Sequence, residues 1–233
     1  MAIPQLLDDI VRSGPSSTLK RHGFRQKGRA FFVYRGEVFQ FVHFFPSQWS
    51  RADVAVFTLS VGVTIRYWHR DPRPPEQMIT DILPLVGRRF GPDLDHPVGQ
   101  FWSAHSIEPA ASQVIERLEH HALRWLLEYA TETSLAGYLR DCKTGIPLVN
   151  LCALARILAR TGMHDEVADV MAKARAERDR LKAESRGDQW ERCRSLVLAT
   201  EEWVKMEDQA SKSSACLTED DGRSTESAVK PDS

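Results

Sequence analysis

A chain of 233 residues, 42% of them apolar and with a formal net charge of −1, can bury a substantial core as one domain with extensions or as two small ones. The near-neutral balance argues against a bulk polyanion binder, yet it hides an asymmetry. Residues 1–75 carry eleven Lys or Arg against five Asp or Glu, whereas residues 206–233 carry three against seven. Four cysteines, Cys142, Cys152, Cys193 and Cys216, form no CxxC pair, which predicts a reduced, cytoplasmic protein. The acidic pair Asp8-Asp9 near the N-terminus does not fit a signal peptide. No stretch approaches the roughly 18 apolar residues of a membrane span, so no membrane association is expected.

Taken in chain order, residues 2–22 read as helical, with Leu6, Leu7, Ile10 and Val11 on one face. Gly14-Pro15 interrupts the run before Ser16 or Ser17 caps it again. Gly23 suits a helix stop and Phe24 can pack back on the last turn, which leaves Lys20, Arg21 and His22 at a helix C-terminus, where positive charge is favourable. From Ala30 the pattern becomes extended: "AFFVY" and "EVFQFVHFF", separated by Arg35-Gly36, form a hairpin. Residues 53–66 give the clearest signal. Ala55, Phe57, Leu59, Val61, Val63 and Ile65 alternate with Thr58, Ser60, Gly62 and Thr64, which predicts a strand with its even residues on a more open face.

A proline-rich loop, "HRDPRPPEQ", leads to a short helical candidate at 76–84 and to two weaker strands, "VGRRF" and "GQFWSAH". Ser106 can cap a helix reaching about Ala130, with Val114, Ile115, Leu118, Ala122, Trp125, Leu126 and Tyr129 as its buried stripe. Further helices are expected at 134–142, 147–160, 163–184 and 189–206. The pair around Gly162 resembles half of a tetratricopeptide helix hairpin in its small-residue spacing, but no second copy recurs. From 207 to 233 the chain reads as a disordered acidic tail.

Signatures of chemistry are sparse. There is no GxSxG elbow, no HExxH and no Gly-rich loop ending in Lys-Ser/Thr. His120 and His121 are adjacent on a helix and point in different directions. No cofactor and no metal ligand is expected, and enzyme status stays open, leaning against. Arg25, Lys27 and Arg29 alternate, so in an extended segment they would share one face beside rings such as Tyr34 or Phe39, the composition of a single-strand binder. Trp49, in the polar loop "PSQWSRAD", is either a lid over the core edge or a contact anchor, and Trp68 and Trp102 pose the same alternative.

The N-terminal half resembles a known family, the bacterial domain-of-unknown-function family 4304. The resemblance rests on "LKRHGFRQKGRAFFVYRGEVFQFVHFFPSQWS", with its Gly23-Phe24, Lys27-Gly28 and Ser47-Gln48-Trp49 elements, and on "VFTLSVGVTI". A second block of the family, with a His-Trp-Arg run and a double Trp, is represented here by Val86-Gly87-Arg88 and the single Trp102. The resemblance covers roughly residues 5–130 and implies a small α+β domain without an assigned activity.

The resulting expectation is an α+β protein: an antiparallel sheet of four to five strands, an N-terminal helix and covering helices, and a C-terminal helical extension. Its segments are an α+β domain at 1–130, helices at 131–206 and the tail. The leading functional reading is a non-enzymatic binding protein, a protein-partner or immunity-type module. The alternative is a nucleic-acid binder or nucleic-acid enzyme using Arg25, Lys27 and Arg29, and a hydrolase built on His43 is a third. Arg25, Lys27, Arg29, His43, Ser47, Trp49, Thr58, Ser60 and Trp102 are the candidate ligand or partner residues. Oligomeric state is left open.

Overall fold

The computed structural model describes residues 5–68, 84–92, 101–141, 147–184 and 188–220. It divides into two compact units, Met1–Leu135 and Ala136–Ser233. The helical candidate at 76–84 falls almost wholly outside the described residues.

The first unit opens with α1 (Gln5–Arg12) and α2 (Pro15–Arg21), broken where expected. Gly14, followed by Pro15, occupies the cap position of α2 without a side-chain cap bond. The two serines expected there serve elsewhere: Ser17 donates to the Gly14 carbonyl and Ser16 to the amide oxygen of Gln26. At its other end α2 stops at Gly23, with φ of 85°, the left-handed conformation that glycine adopts without a steric penalty. The Gly23 and Phe24 amides then donate to the Lys20 and Leu19 carbonyls at 3.0 and 3.1 Å, and Phe24 is buried.

Six strands follow: β1 (Arg25–Lys27), β2 (Ala30–Arg35), β3 (Val38–Pro46), β4 (Ala55–Ile65), β5 (Val86–Phe90) and β6 (Trp102–Ala104). Every pairing is antiparallel, in the order β1-β2-β3-β4-β5 with β6 also on β4. The count passes the expected five through β1 alone, a strand of only three residues with no apolar alternation to mark it. The central strand β4 is long enough to share one edge between two partners, β5 against Leu59–Val63 and β6 against Ala55–Phe57.

One face of the sheet is covered by helices. Val42, Phe44, Leu59, Val61, Val63 and Ile65 point to it, and α1 and α4 pack against β4 there. The covering helix is α3 (Ile107–Arg117), a π-helical turn (Leu118–Ala122) and α4 (Leu123–Glu128) in succession. Val114, Leu118, Ala122 and Leu126 of the expected stripe are fully buried, and Ile115, Trp125 and Tyr129 half-buried. Gln40 stands amid this apolar layer without exposure. Its amide nitrogen donates to the Leu126 carbonyl near the end of α4, and its oxygen accepts from Arg35 Nε at 3.2 Å, so the buried amide is satisfied at both ends.

The even positions of β4 do not form the open face that the alternation predicts. Thr58, Gly62 and Thr64 are buried, and Val56 and Ser60 are half-buried. That face has its own apolar cluster of Ala30, Phe32, Phe39 and Phe41, with Tyr34 packed against it. Gly62 makes the cluster possible, because a Cβ there would lie 2.4 Å from Phe41 Cζ and 2.7 Å from Pro84 Cβ.

In the second unit, α6 (Pro147–Arg160) packs against both α7 (His164–Glu184) and α8 (Asp188–Asp220), and α5 (Glu132–Asp141) begins at the boundary. Nearly all of α6 is buried, including Arg156, whose Nε donates to Thr200 Oγ1 at 3.3 Å. Burial pushes the Cys152 thiol up to about 11, so it stays protonated. Cys142 and the side chain of Cys216 lie outside the described residues. The helix expected to end at 206 runs on to Asp220. Polarity alone does not stop a helix there, since 207–220 holds no Pro or Gly and Lys212 pairs with Asp208 one turn away. No helix among the described residues is long and apolar enough to cross a membrane.

Gly62→Ala is expected to lower the stability of the domain by about 1–3 kcal/mol, because the added methyl must displace Phe41 or Pro84 from a packed layer. A urea unfolding midpoint unchanged from the wild type would contradict this packing.

Candidate functional site

The loop after β3 is fixed by its own hydrogen bonds. The Ser47 amide donates to the Val56 carbonyl at 2.7 Å, and Ser50 Oγ both donates to that carbonyl and accepts from the Val56 amide, at 2.7 and 3.0 Å. Trp49 rides on this closed loop, its amide bonded to Ser47 Oγ at 3.2 Å. Its indole is 64% exposed and meets the Phe101 ring edge to face at 6.0 Å. A lid over the core would be buried, so Trp49 is no lid.

Beneath Trp49 lies an open cavity of about 380 Å³. Phe45, 48% exposed, and Phe101 give it apolar walls, Ser47 and Thr58 contribute small polar groups, and Arg89 is the one charged residue of its lining among the described residues. Thr58 donates its hydroxyl to the Phe90 carbonyl at 3.1 Å and so braces the cavity. Next to it, register places His43, Ser60 and Arg89 in one row across β3, β4 and β5. The His43 ring meets Phe45 edge-on at 5.5 Å.

Burial, aided by the nearby Arg29 charge, lowers the His43 pKa below its ordinary value, which keeps the imidazole neutral at pH 7. None of the six strands contains Asp or Glu, so no strand carboxylate orients His43 as a general base. No group of three or more His, Cys, Asp or Glu among the described residues could hold a metal ion.

Of the residues singled out from sequence, Ser47, Trp49 and Thr58 therefore meet at the cavity, with His43 and Ser60 beside it. The basic trio is dispersed. Arg25 and Lys27 are exposed on β1, three strand spacings or roughly 14 Å from β4. Lys27 pairs with Ala30 across a tight turn at Gly28, where φ is 60°. That turn breaks the alternation and sends Arg29 to α1, where its Nε and Nη2 bond the Asp8 carboxylate at 2.7 and 2.9 Å. Trp102 belongs to the opposite, helix-covered face, 3% exposed and stacked on Phe57 at 5.3 Å.

Five residues of the cavity lining are not among the candidates from sequence: Phe45, Pro46, Gln48, Arg89 and Phe101. Phe45 shares the parity of His43 and was legible in principle. Arg89 enters only through the pairing of β5 with β4, and Phe101 only through the position of β6.

Residues 16–128 match the family described as Domain of unknown function (DUF4304). The match spans 113 of the 233 residues, so the likeness to that family is to this segment alone. Every residue of the cavity falls within it, whereas Asp8, the partner of Arg29, precedes the matched segment. Neither a curated protein nor a solved structure matches the chain.

The His43 environment sets a pH dependence. Above the ordinary value of 6.5 both folded and unfolded chains hold the imidazole neutral. As the pH falls through that value the unfolded chain takes up the proton first, so stability is lost toward the lowered folded pKa. Between pH 7.5 and 5.5, His43→Gln is expected to lose less melting temperature than the wild type. An identical loss in both would refute the assignment.

Proposed function

We propose that the DUF4304-like segment of this chain is a non-enzymatic binding module of the bacterial cytoplasm, a protein-partner or immunity-type module that engages its partner at the Trp49 cavity. The observation that carries this reading is the pair of large rings held in water at the rim of a cavity, Phe45 at the end of β3 and Trp49 on a hydrogen-bonded loop. A Trp, a Phe and an Arg around one concavity is the composition of an interface hot spot. Covering the exposed part of Trp49 is worth on the order of 3 kcal/mol, and a prearranged loop spares the ordering cost of binding.

The alternative, nucleic-acid binding through Arg25, Lys27 and Arg29, has less to support it. Arg29 is committed to Asp8, and the other two stand apart from the exposed rings. Its nearby rings are also poorly placed for stacking, since Phe32, Phe39 and Phe41 are buried.

Affinity capture with the full chain is expected to recover a protein that Trp49→Ala loses by roughly thirty-fold in affinity, about 2 kcal/mol, while the variant melts as the wild type does. Trp102→Ala should instead destabilise the domain by about 3–5 kcal/mol. Equal capture by Trp49→Ala and the wild type would defeat the proposal.

A further inference from the structure

The charges around the cavity say what kind of partner suits it. Several cations elsewhere in the first unit have protein partners: Arg12 pairs with Asp9, Arg21 with Glu119 and Arg29 with Asp8, while Arg66 and Arg88 lie over the rings of Tyr34 and Phe90. Arg89 is exposed at the cavity wall and makes no hydrogen bond or ion pair among the described residues. Nor could its own sheet supply one, because its cross-strand neighbours on that face are Ser60 and then His43, and the strands carry no acid.

We infer that the occupant of this site is an acidic peptide segment of a partner protein, with a large apolar side chain in the Trp49 cavity and a neighbouring carboxylate on Arg89. The inference rests on the partner-binding reading above and adds the chemistry of the partner. A guanidinium takes a carboxylate through two parallel hydrogen bonds. The Ser60 hydroxyl and the neutral imidazole of His43 continue the row as further donors, at cross-strand spacings of roughly 5 Å. The apolar cavity beside them, about 380 Å³ in volume, is within the size range of ligand pockets. A nucleic-acid strand suits the site less, since a polyanion calls for cations tracking its backbone. The strand cations Arg25 and Lys27 are at the opposite edge, four strand spacings or roughly 19 Å from Arg89, and the residues between Lys27 and Arg89 in their row, Ala30, His43 and Ser60, carry no cation held charged at pH 7.

Selection of peptides from a random library on the full chain tests this, followed by fluorescence anisotropy of the selected peptides against Arg89→Glu, Trp49→Ala and Arg25→Glu. The expected result is enrichment of peptides pairing Asp or Glu with a bulky apolar residue. Arg89→Glu should weaken their binding by about ten-fold or more, and Arg25→Glu, the same charge change at the far edge, should leave it within two-fold, about 0.4 kcal/mol. Enrichment of neutral or basic peptides, or equal effects of Arg89→Glu and Arg25→Glu, would overturn the inference while leaving partner binding standing if Trp49→Ala still abolishes it. Peptides indifferent to Trp49→Ala, or no enrichment at all, would remove the partner-binding reading as well. Binding of a short oligothymidylate that Arg89→Glu abolishes, without peptide enrichment, would assign the site to nucleic acid instead.

Discussion

The contact of the Phe41 ring with Gly62 decides where this domain can meet another molecule. By lying over the one residue of β4 without a side chain, the ring closes a second apolar layer on the face away from the helices. The sheet is then buried on both sides along its middle. A strand sealed in this way reads as nearly continuous apolar burial, and β4 fits, with nine of its eleven residues buried. Exposed chemistry is thereby pushed to the end of the sheet where β3 leaves for its loop, and the Trp49 cavity is found there.

Polar groups inside this frame mostly fix one element against another. Gln40 donates to the end of α4 from the centre of the sheet, adding a second donor to a terminal helix carbonyl and setting the position of the helix over the strands. Arg29 does the same for α1, through a two-bond contact with Asp8 in which the guanidinium is 12% exposed. Charge-assisted pairs of this geometry contribute on the order of 1–3 kcal/mol when partly shielded from water. The same bond removes Arg29 from the surface available to an anion, so a residue that looks like part of a basic patch is an architectural tie.

The difference between what could be read from the chain and what could not follows the range of the interactions. The helix stop at Gly23-Phe24, the hairpin at Gly36 and the alternation of β4 are local, and the corresponding elements stand where periodicity and turn chemistry put them. The second apolar layer was hidden because Thr58, Gly62 and Thr64 look like a solvated face until Phe39 and Phe41 are seen opposite them. Arg25, Lys27 and Arg29 appeared collinear because a turn at Gly28 was not recognised. Trp49 and Trp102 looked equivalent, although one sits on a closed loop in water and the other stacks in the core. Arg89 could be placed only with the β4–β5 register in hand.

The two units also differ in how they satisfy their cations, and this gives Arg89 its meaning. On the long helices of the second unit an acid one turn away is easily supplied. Lys173 pairs with Asp169, Arg180 with Glu177 and Glu184, and Lys212 with Asp208. Such exposed pairs contribute little to stability, but they leave those cations with local partners. In the sheet, neighbours are set by register and come from distant parts of the chain, so a cation there meets a cross-strand acid only if an opposing strand carries one. No strand does. A surface guanidinium needs no acid partner, because water solvates it well, so Arg89 contributes nothing evident to the fold. It stands ready beside two exposed rings, where an arriving carboxylate would exchange water for an oriented, partly desolvated donor.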